Sequence, residues 1–242
     1  MSGHSKWATT KHKKAIIDAK RGKIFTKMAK LVTIAARDGK SGDPAMNPSL
    51  RMAIENAKAA SMPKENIERA IKKGTGEGGG AQIEEVTYEV YAPHGIAMLI
   101  ECLTDNKNRT LGEIKAIINK LNGTLATAGS VGYLFRKVGQ IIIDENKNEK
   151  KGDDLELIII DSGADDFEKE ENLIVVETSF AALHQVKKTL EDAGVTIDSA
   201  EFIQIADNLI TLSEDQTESV LNLVDKIDEL DDVSNVFTNL DL

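Results

Sequence analysis

The sequence predicts an α+β fold in which a helical N-terminal domain precedes an α+β body, and three observations support this. Up to residue 73, apolar residues recur at the three- and four-residue spacing of amphipathic helices. Residues 74–80 are mostly glycine, which indicates a flexible linker. After the linker, strand-like apolar runs alternate with helical patterns, a mixture that is typical of an α+β body.

The N-terminal segment is predicted to form a small bundle of three helices with a basic arm in front. The first two helices are indicated by apolar residues at helical spacing, namely Ile24, Met28, Leu31, Val32 and Ala35, and then Leu50, Ala53, Ile54 and Ala57. Gly39, Gly42 and Pro44 end the first helix. Pro63 suits the first turn of the third helix, and Gly74 falls past its end.

Beyond the linker, the order of the elements predicts one ferredoxin-like α+β unit and allows a second. Strands are expected at residues 83–91, 96–103, 133–143, 173–177 and 197–205, and helices at residues 108–121, 155–160, 180–193 and 214–230. We interpret the order as strand-strand-helix, then strand-helix-strand-strand-helix-strand, and finally strand-helix-strand, and the middle set is a split βαβ unit. The outer elements make a second such unit if the middle one is inserted into it. Residues 155–160 also suit a buried strand, and their flanking Asp153, Asp154 and Gly163 favour a helix.

Charge is divided unevenly along the chain, which points to a nucleic-acid-binding module. The net charge is −10. Residues 1–80 nevertheless contain 17 Lys/Arg and 7 Asp/Glu, whereas residues 81–242 contain 13 Lys/Arg and 33 Asp/Glu. The first 30 residues hold nine basic side chains and a single acid, Asp18. Lys and Arg clustered in this way bind phosphates and release counterions.

The candidate nucleic-acid-binding residues lie in the basic arm, residues 6–23, and on the helix behind it. They are Lys6, Trp7, Lys11, His12, Lys13, Lys14, Lys20, Arg21, Lys23, Lys27 and Lys30. The last lysines of this set form a row within an arc of about 80° on one helix face. Trp7 suits stacking on a base or ribose as well as packing in a core. A solvated helix face is the alternative interpretation of the basic run.

The charge pattern does not distinguish DNA from RNA. The sequence contains no helix-turn-helix with a polar recognition helix, no zinc-finger spacing and no aromatic RRM signature. This slightly favours structured RNA or shape-based contact over reading of the major groove. A hypothesis from another class is a protein-interaction scaffold whose basic arm docks an acidic partner.

Residues 104–110 join a predicted strand to a predicted helix and allow two interpretations. Asp105, Asn106 or Asn108 suits the N-cap of the helix. Alternatively, Lys107 and Arg109 form a second contact surface, because a helix N-terminus favours anions.

The sequence gives little support to an enzymatic function. His4, His12, His94, His184 and Cys102 show no metal-ligand spacing, and H-E-x-x-H, G-x-S-x-G and G-K-[ST] are absent. The match to G-x-G-x-x-G at residues 74–79 follows a predicted helix and precedes a strand, so it is interpreted as a linker. Cys102 suits a small buried hydrophobe, and the acidic residues 165–171 suit a solvated face or turn. We expect no catalytic residue, cofactor, metal or small-molecule substrate.

The compartment is expected to be the cytoplasm. No apolar run is long enough to span a membrane, and no apolar stretch follows the N-terminus as in a signal peptide. The single cysteine fits a reducing environment.

Several long motifs occur in order along the chain and are densest in its first 75 residues. They are Gly3-His4-Ser5-Lys6-Trp7, Lys20-Arg21-Gly22-Lys23-Ile24-Phe25-Thr26-Lys27, Asp43-Pro44, Asn47-Pro48, Leu50-Arg51, Met62-Pro63-Lys64, Asn66-Ile67, Ile71-Lys72-Lys73-Gly74-Thr75-Gly76 and Leu103-Thr104-Asp105-Asn106-Lys107-Asn108-Arg109-Thr110. With these motifs the chain resembles the YebC/PmpR family.

This resemblance implies three domains, with the third inserted into the second. They are residues 1–75, residues 81–130 with 207–242, and the inserted residues 131–206. The resemblance also implies control of gene expression, because the family is widely described as transcriptional regulators that bind DNA. It includes a mitochondrial translational activator of cytochrome oxidase, and bacterial members associated with ribosomes and relief of stalled translation. The basic arm and the helix after it correspond to the nucleic-acid side.

The chain departs from the family at the turn after the first predicted strand. The family's Tyr-Glu-Gly-Tyr-Gly-Pro-Gly-Gly is here Tyr88-Glu89-Val90-Tyr91-Ala92-Pro93-His94-Gly95, with three glycines lost. If those glycines let a partner approach closely, that contact is altered. If they serve turn geometry, Pro93, His94 and Gly95 still supply a turn.

Overall fold

The protein is described by a computed structural model that covers residues 21–77 and 83–242, with side chains from residue 24 onward in the first range. Within these ranges the helices are α1 Arg21–Asp38, α2 Pro48–Ala59, α3 Lys64–Gly74, α4 Lys107–Lys120, α5 Asp153–Asp161, α6 Leu183–Asp192 and α7 Glu214–Asp228. The strands are β1 Glu84–Tyr91, β2 Ala97–Thr104, β3 Thr124–Leu125, β4 Phe135–Asp144, β5 Asp166–Glu170, β6 Leu173–Ser179, β7 Ser199–Ala206, β8 Ile210–Thr211, β9 Val233–Thr238 and β10 Leu240–Asp241. The predicted α+β class is confirmed.

The three N-terminal helices pack around one apolar core, as predicted. Its buried members are Val32, Ala36, Leu50, Ile54, Ala57, Met62, Ile67 and Ala70. Asn47 caps α2 by accepting a hydrogen bond from the Leu50 amide at 3.0 Å, and Pro48 occupies the first turn. Pro63 precedes α3 as its cap residue, and Gly74 is the last residue of that helix instead of the one after it. We call these helices the helical domain.

A first sheet has the order β3-β1-β2-β9 with antiparallel neighbours. Helices α4 and α7 cover one of its faces, and the core between them contains Met98, Ile100, Cys102, Ile114, Ile118, Val220, Leu223 and Ile227. Cys102 is almost fully buried, which confirms its predicted role as a small core residue. Burial raises the pKa of its thiol to about 12, so it stays protonated and unreactive at neutral pH.

A second sheet has the order β5-β6-β4-β7, and α5 and α6 cover one face of it. Its elements follow the chain as β4-α5-β5-β6-α6-β7, which is the predicted split βαβ order. Residues 155–160 are helical, as the flanking residues indicated. The acidic run at 165–171 contains the edge strand β5 and is not simply a turn, because Phe167 is partly buried against the core of this sheet.

The first sheet does not have the ferredoxin-like order that was predicted for a second unit. Along the chain its elements run β1-β2-α4-β3 and, after the second sheet, α7-β9, whereas β8 and β10 pair with each other in a separate two-stranded parallel sheet. The short turn at Pro93–Gly95 joins β1 to β2 as a hairpin, and β3 and β9 pair with their outer sides, so β1 and β2 are central. The chain thus leaves the first sheet after β3 and returns to it with β9. The exact limits of the three domains stay a prediction.

The two sheets pack against each other through the faces that their helices leave open. Ala97, Leu99 and Phe237 of the first sheet meet Phe135, Val138 and Ile203 of the second, and Val131 lies between them. A buried apolar contact of this kind makes independent motion of the two sheets costly. Among the described residues, no helix is long and apolar enough to cross a membrane.

The helical domain contacts the second sheet through α2. Met52 packs into the core of that sheet. Asn56 satisfies the edge of β7, because its Nδ2 donates to the Ala200 carbonyl at 2.8 Å. An ion pair of 2.5 Å joins Lys187 Nζ to Glu55 Oε2. This edge of the second sheet is therefore covered by the helical domain.

The structure accounts for the three residues that replace family glycines. Val90 and Ala92 are buried in the core of the first sheet, so their side chains add packing there. His94 is exposed and has a φ of 63°, in the left-handed region that glycine adopts without strain. The glycine at position 94 in the family therefore suits the geometry of this turn.

Candidate nucleic-acid interface

Two lysines of the row predicted on α1, Lys27 and Lys30, contact the first sheet at strand β9 and just before it. Lys30 Nζ donates to Asp232 Oδ1 at 2.7 Å and to the Asp231 carbonyl at 2.8 Å. Lys27 Nζ donates to Asn235 Oδ1 at 3.3 Å. The side chain of Lys30 is only 18% exposed. Part of the row thus holds the helical domain against the rest of the molecule.

Asp232 is the centre of this contact, and we call the group around it the Asp232 junction. Its side chain is 7% exposed, and Oδ2 accepts from Arg109 Nη2 at 2.5 Å. The hydroxyls of Thr104 and Thr110 lie 3.0 and 2.8 Å from the same oxygen. Burial opposes ionisation, but the donors from Lys30, Arg109 and Thr110 outweigh it and hold the pKa of Asp232 well below its ordinary value.

The polar side chains of residues 104–110 are therefore largely engaged in hydrogen bonds and ion pairs within the protein. Asn106 is the N-cap of α4 and accepts from the Arg109 amide at 3.1 Å, which confirms the capping interpretation. Arg109 also donates to Asp105 at 3.0 Å. Lys107 Nζ lies 2.6 Å from Glu84 Oε2, and both side chains are about half exposed. Contact of Lys107 and Arg109 with nucleic acid stays a prediction, and both already pair with carboxylates.

A chain of polar groups extends the contact from the helical domain to both sheets. Asn235, which binds Lys27, donates from Nδ2 to Glu101 Oε2 at 3.1 Å. Gln204 of the second sheet donates to Glu101 Oε1 at 3.2 Å. Together with the Asp232 junction, this series of hydrogen bonds fixes the direction of α1 relative to the two sheets.

Sequence reasoning did not find these acceptors, because nothing local marks them. Asp232 follows Asp231 just before β9 and resembles an ordinary solvated acid pair. Its role depends on α1 and α4, which lie more than 100 residues away along the chain. The one available signal was the polar motif at residues 104–110, whose hydroxyls need an acceptor when they are buried.

The structure also presents cations that sequence reasoning did not single out. Arg69, Lys72 and Lys73 are exposed near the C-terminal end of α3, at positions that share one helix face. Within residues 24–77 and 83–242, no carboxylate lies within ion-pair distance of these three side chains. Their charge is therefore available to a ligand. Cations near a helix C-terminus also stabilise the helix, which is the simpler role for them.

Seven of the predicted binding residues lie outside the described residues: Lys6, Trp7, Lys11, His12, Lys13, Lys14 and Lys20. Arg21 and Lys23 belong to the first turn of α1. The prediction of phosphate contact at all these positions is therefore not tested by the structure. In the described part of the chain, no three His, Cys, Asp or Glu side chains come together as a metal site.

Comparison with known proteins identifies the family. The family model described as the TACO1/YebC protein N-terminal domain matches residues 5–77, and that described as the TACO1/YebC second and third domain matches residues 83–240. The chain belongs to the TACO1/YebC family. The resemblance found from its sequence motifs is thus confirmed.

Curated relatives in the TACO1/YebC family match over the full length of this chain. A probable transcriptional regulatory protein of Thermoanaerobacter pseudethanolicus is 50% identical over 242 residues, which are 100% of this chain and 98% of that protein. One of the same description from Geobacter sulfurreducens is 47% identical, covering 100% of this chain and 96% of its own. The crystal structure of a conserved hypothetical protein of Aquifex aeolicus superposes with a TM-score of 0.86 at 40% identity, covering 93% of this chain and 91% of that one.

Within this TACO1/YebC fold, Glu89 holds the segment that connects the two sheets. Its carboxylate accepts from the amides of Gly129 and Val131 at 2.6 Å and of Gly132 at 2.9 Å. Partial burial raises the pKa of Glu89, but these hydrogen bonds outweigh it and leave the pKa below the ordinary value of 4.5. The family turn motif includes Glu89, although its sequence position alone does not reveal the role.

We expect the folded chain to lose stability as the pH falls below about 4.5, with Glu89 contributing to the loss. A carboxyl whose pKa is lower in the folded state stabilises above the unfolded pKa, and this stabilisation is lost as the pH falls through the folded pKa. Glu89→Gln should lower the free energy of unfolding at pH 7 by about 1 to 2 kcal/mol and flatten its decline in acid. Urea denaturation at several pH values measures both. Glu85→Gln, an exposed site on the same strand, is the control. An unchanged acid profile in Glu89→Gln contradicts the assignment.

Proposed function

We propose that this chain is a non-enzymatic regulator of gene expression that binds nucleic acid through its basic arm and the adjoining helical domain. The observation that carries the proposal is the division of charge. Residues 1–80 hold 17 basic and 7 acidic side chains, and residues 81–242 hold 13 and 33. The relatives named probable transcriptional regulatory proteins support a role in regulation.

The fold places the helical domain, which belongs to the basic part of the chain, beside the acidic part. The Asp232 junction and the α2 contacts hold the helical domain on an acidic body formed by the two sheets. A polyanion is repelled by that body and attracted to the arm and to the exposed Arg69, Lys72 and Lys73 of α3. Binding is thereby directed to one side of the molecule.

DNA is the first candidate ligand, because transcription is the process in the relatives' names. Structured RNA bound at the ribosome, with a role in translation and in relief of stalling, is the second. It is favoured by the composition of the arm, since clustered lysines contact phosphates and carry no readout of base edges. Crosslinking in cells with sequencing of the bound nucleic acid separates the two, as promoter peaks support the first and ribosomal RNA peaks the second.

The binding itself is tested by neutralising the arm. A variant with Lys11, Lys13 and Lys14 changed to Gln should bind duplex DNA or hairpin RNA about 10- to 100-fold more weakly at low salt. Its salt dependence should be shallower by roughly one unit of slope per lost phosphate contact. Fluorescence anisotropy between about 50 and 200 mM salt measures both quantities.

A matched control changes three lysines of the acidic body, Lys115, Lys120 and Lys151, to Gln. It alters the net charge equally and leaves the arm intact, so it should bind as the wild type does. If both variants lose affinity alike, the arm is not the site. If the wild type binds neither nucleic acid at low salt, the protein is better explained as a scaffold that docks an acidic protein.

A further inference from the structure

A cluster of aromatic and basic side chains lies at one end of the second sheet. The rings of Phe180 and Phe202 are 4.5 Å apart between centroids, tilted by 37°. His184 meets the Phe202 ring edge-on at 5.9 Å. Lys137 Nζ lies 5.1 Å from the centroid of Phe180 and 5.7 Å from that of Phe202. We call this group the Phe180 cluster.

The Phe180 cluster continues into a groove between α2 and α6. The groove has a volume of about 330 Å³, and its lining includes Arg51 and Met52 of α2 and His184, Lys188 and Asp192 of α6. His184 belongs to both features, so the aromatic surface and the groove are contiguous. Lys187 also lines the groove, but Glu55 and Glu191 neutralise it at 2.5 and 2.7 Å.

Core packing accounts for the position of Phe202, but it does not account for the exposed ring of Phe180. Phe202 lies beside the core of the second sheet and is partly buried there. Phe180 follows β6 directly and is 50% exposed, so a large apolar ring faces solvent. An exposed ring with a cation beside it is the arrangement on which nucleic-acid bases stack, because every base offers a flat π-face.

The charges around Phe180 suit a polyanion. Arg51, Lys137 and Lys188 are exposed, and among the side chains that the structure describes no carboxylate lies within ion-pair distance of them. Burial and the nearby charges of Arg51 and Lys187 lower the pKa of His184, so its imidazole is neutral at pH 7 and offers a donor and an acceptor. The exposed apolar pair Leu157 and Ile160 of α5 lies instead beside acids, including Asp161.

We propose that the Phe180 cluster binds an unpaired segment of RNA, with one base stacked on Phe180 and the neighbouring phosphates held by Arg51, Lys137 and Lys188. RNA is chosen because proteins recognise it mainly through unpaired bases in loops and ends, whereas duplex DNA keeps its bases stacked inside the helix. None of the residues of this site belongs to the basic arm, and the site rests on the proposed function in that the whole protein binds nucleic acid.

The test uses the full chain and an RNA of about 12 nucleotides that carries 2-aminopurine, whose fluorescence is quenched when the base stacks. Phe180→Ala should weaken binding of this strand by about 5- to 150-fold and reduce the quenching. Phe180→Leu keeps an apolar side chain beside Phe202 but removes the ring, so it should show the same loss. Leu157→Ala removes another exposed apolar side chain, on α5 of the second sheet, and should bind as the wild type does.

Three further arms separate the outcomes. The same strand annealed to its complement has no free base, so all Phe180 variants should bind it with wild-type affinity. Single-stranded DNA of the same sequence should bind more weakly if the RNA assignment is correct, and equal binding overturns the choice of RNA. Thermal melting of each variant establishes that it is folded.

If the wild type binds the single strand and both Phe180 variants bind it equally well, this proposal is wrong while the proposed function stands. If the variants weaken duplex and single strand alike, Phe180 acts through the fold and the proposal is also wrong. If the wild type binds no nucleic acid of any kind, both proposals fall.

Discussion

Replacing Asp232 with Asn is expected to lower the free energy of unfolding by about 3 kcal/mol and to loosen the helical domain from the first sheet. The carboxylate is nearly buried and accepts from Lys30 at 2.7 Å and Arg109 at 2.5 Å. Asn is neutral and leaves Lys30, which is largely buried, without a counter-charge. Urea denaturation measures the stability, and limited proteolysis of the segment around residues 75–83 measures the loosening.

The neighbouring residue provides the control for this prediction. Asp231 is exposed, and the contact to Lys30 uses its backbone carbonyl, which Asp231→Asn preserves. This variant removes the same formal charge from the same loop and should change the stability by less than about 0.5 kcal/mol. Equal effects of the two substitutions would mean that the loop's net charge, and not the buried carboxylate, carries the stability.

The consequence of Asp232→Asn for binding follows from the position of α1. The basic arm leads into α1, and the Asp232 junction holds that helix against the body. A variant that loosens the junction while keeping the arm should retain the charge-driven part of its affinity, because that part depends on phosphate neutralisation. A ligand that contacts the arm and a second surface together should bind more weakly, since the two surfaces are no longer held in a fixed relative position.

Gly74→Ala is the second substitution from which we expect a large effect, a loss of about 2 to 3 kcal/mol in the free energy of unfolding. A Cβ at this position would lie 2.3 Å from the carbonyl oxygen of Thr33 and 2.7 Å from Cβ of Ala36. One of these atoms belongs to the backbone of α1, so the contact cannot be relieved by a rotamer change. The helices α1 and α3 must move apart, which opens the apolar core that they share.

Gly112→Ala makes the same chemical change where space is open. Gly112 lies inside α4, and nothing lies within 4 Å of a Cβ built there. Because alanine is the better helix former, this variant should be more stable than the wild type by about 0.5 to 1 kcal/mol. Opposite signs for the two variants in thermal and urea denaturation are the expected result. A destabilised Gly112→Ala or a neutral Gly74→Ala would contradict the packing described here.

Local patterns predicted most of the elements. Each of the nine helix and strand runs predicted beyond the linker falls on an observed element, because a buried face imposes a period of 3.6 or 2 on its apolar residues. The flanking acids and Gly163 correctly indicated that residues 155–160 are helical. The short strands β3 and β10 were missed, since two residues are too few to carry a period, and β8 was expected only in the order of the elements, without a range.

The edge strand β5 was part of the predicted order of elements, but its residues were interpreted as a solvated face or turn. Four of its five residues are charged, and such a run resembles a solvated turn. Its strand conformation is imposed by the ladder of hydrogen bonds to β6, which a local pattern does not contain. The order of the first sheet was likewise mistaken, because a list of elements does not state which strands become neighbours.

By itself the sequence determined the class of the fold, the family and the division of charge, because each of these can be recognised from local composition and motifs. The tertiary structure alone decided which charges remain for a ligand. Lys30 and Arg109 look like binding residues in the sequence, yet a carboxylate more than 100 residues distant engages both. Arg69, Lys72, Lys73 and the Phe180 cluster emerge only once the chain has folded, since exposure and pairing depend on contacts between segments that are far apart along it.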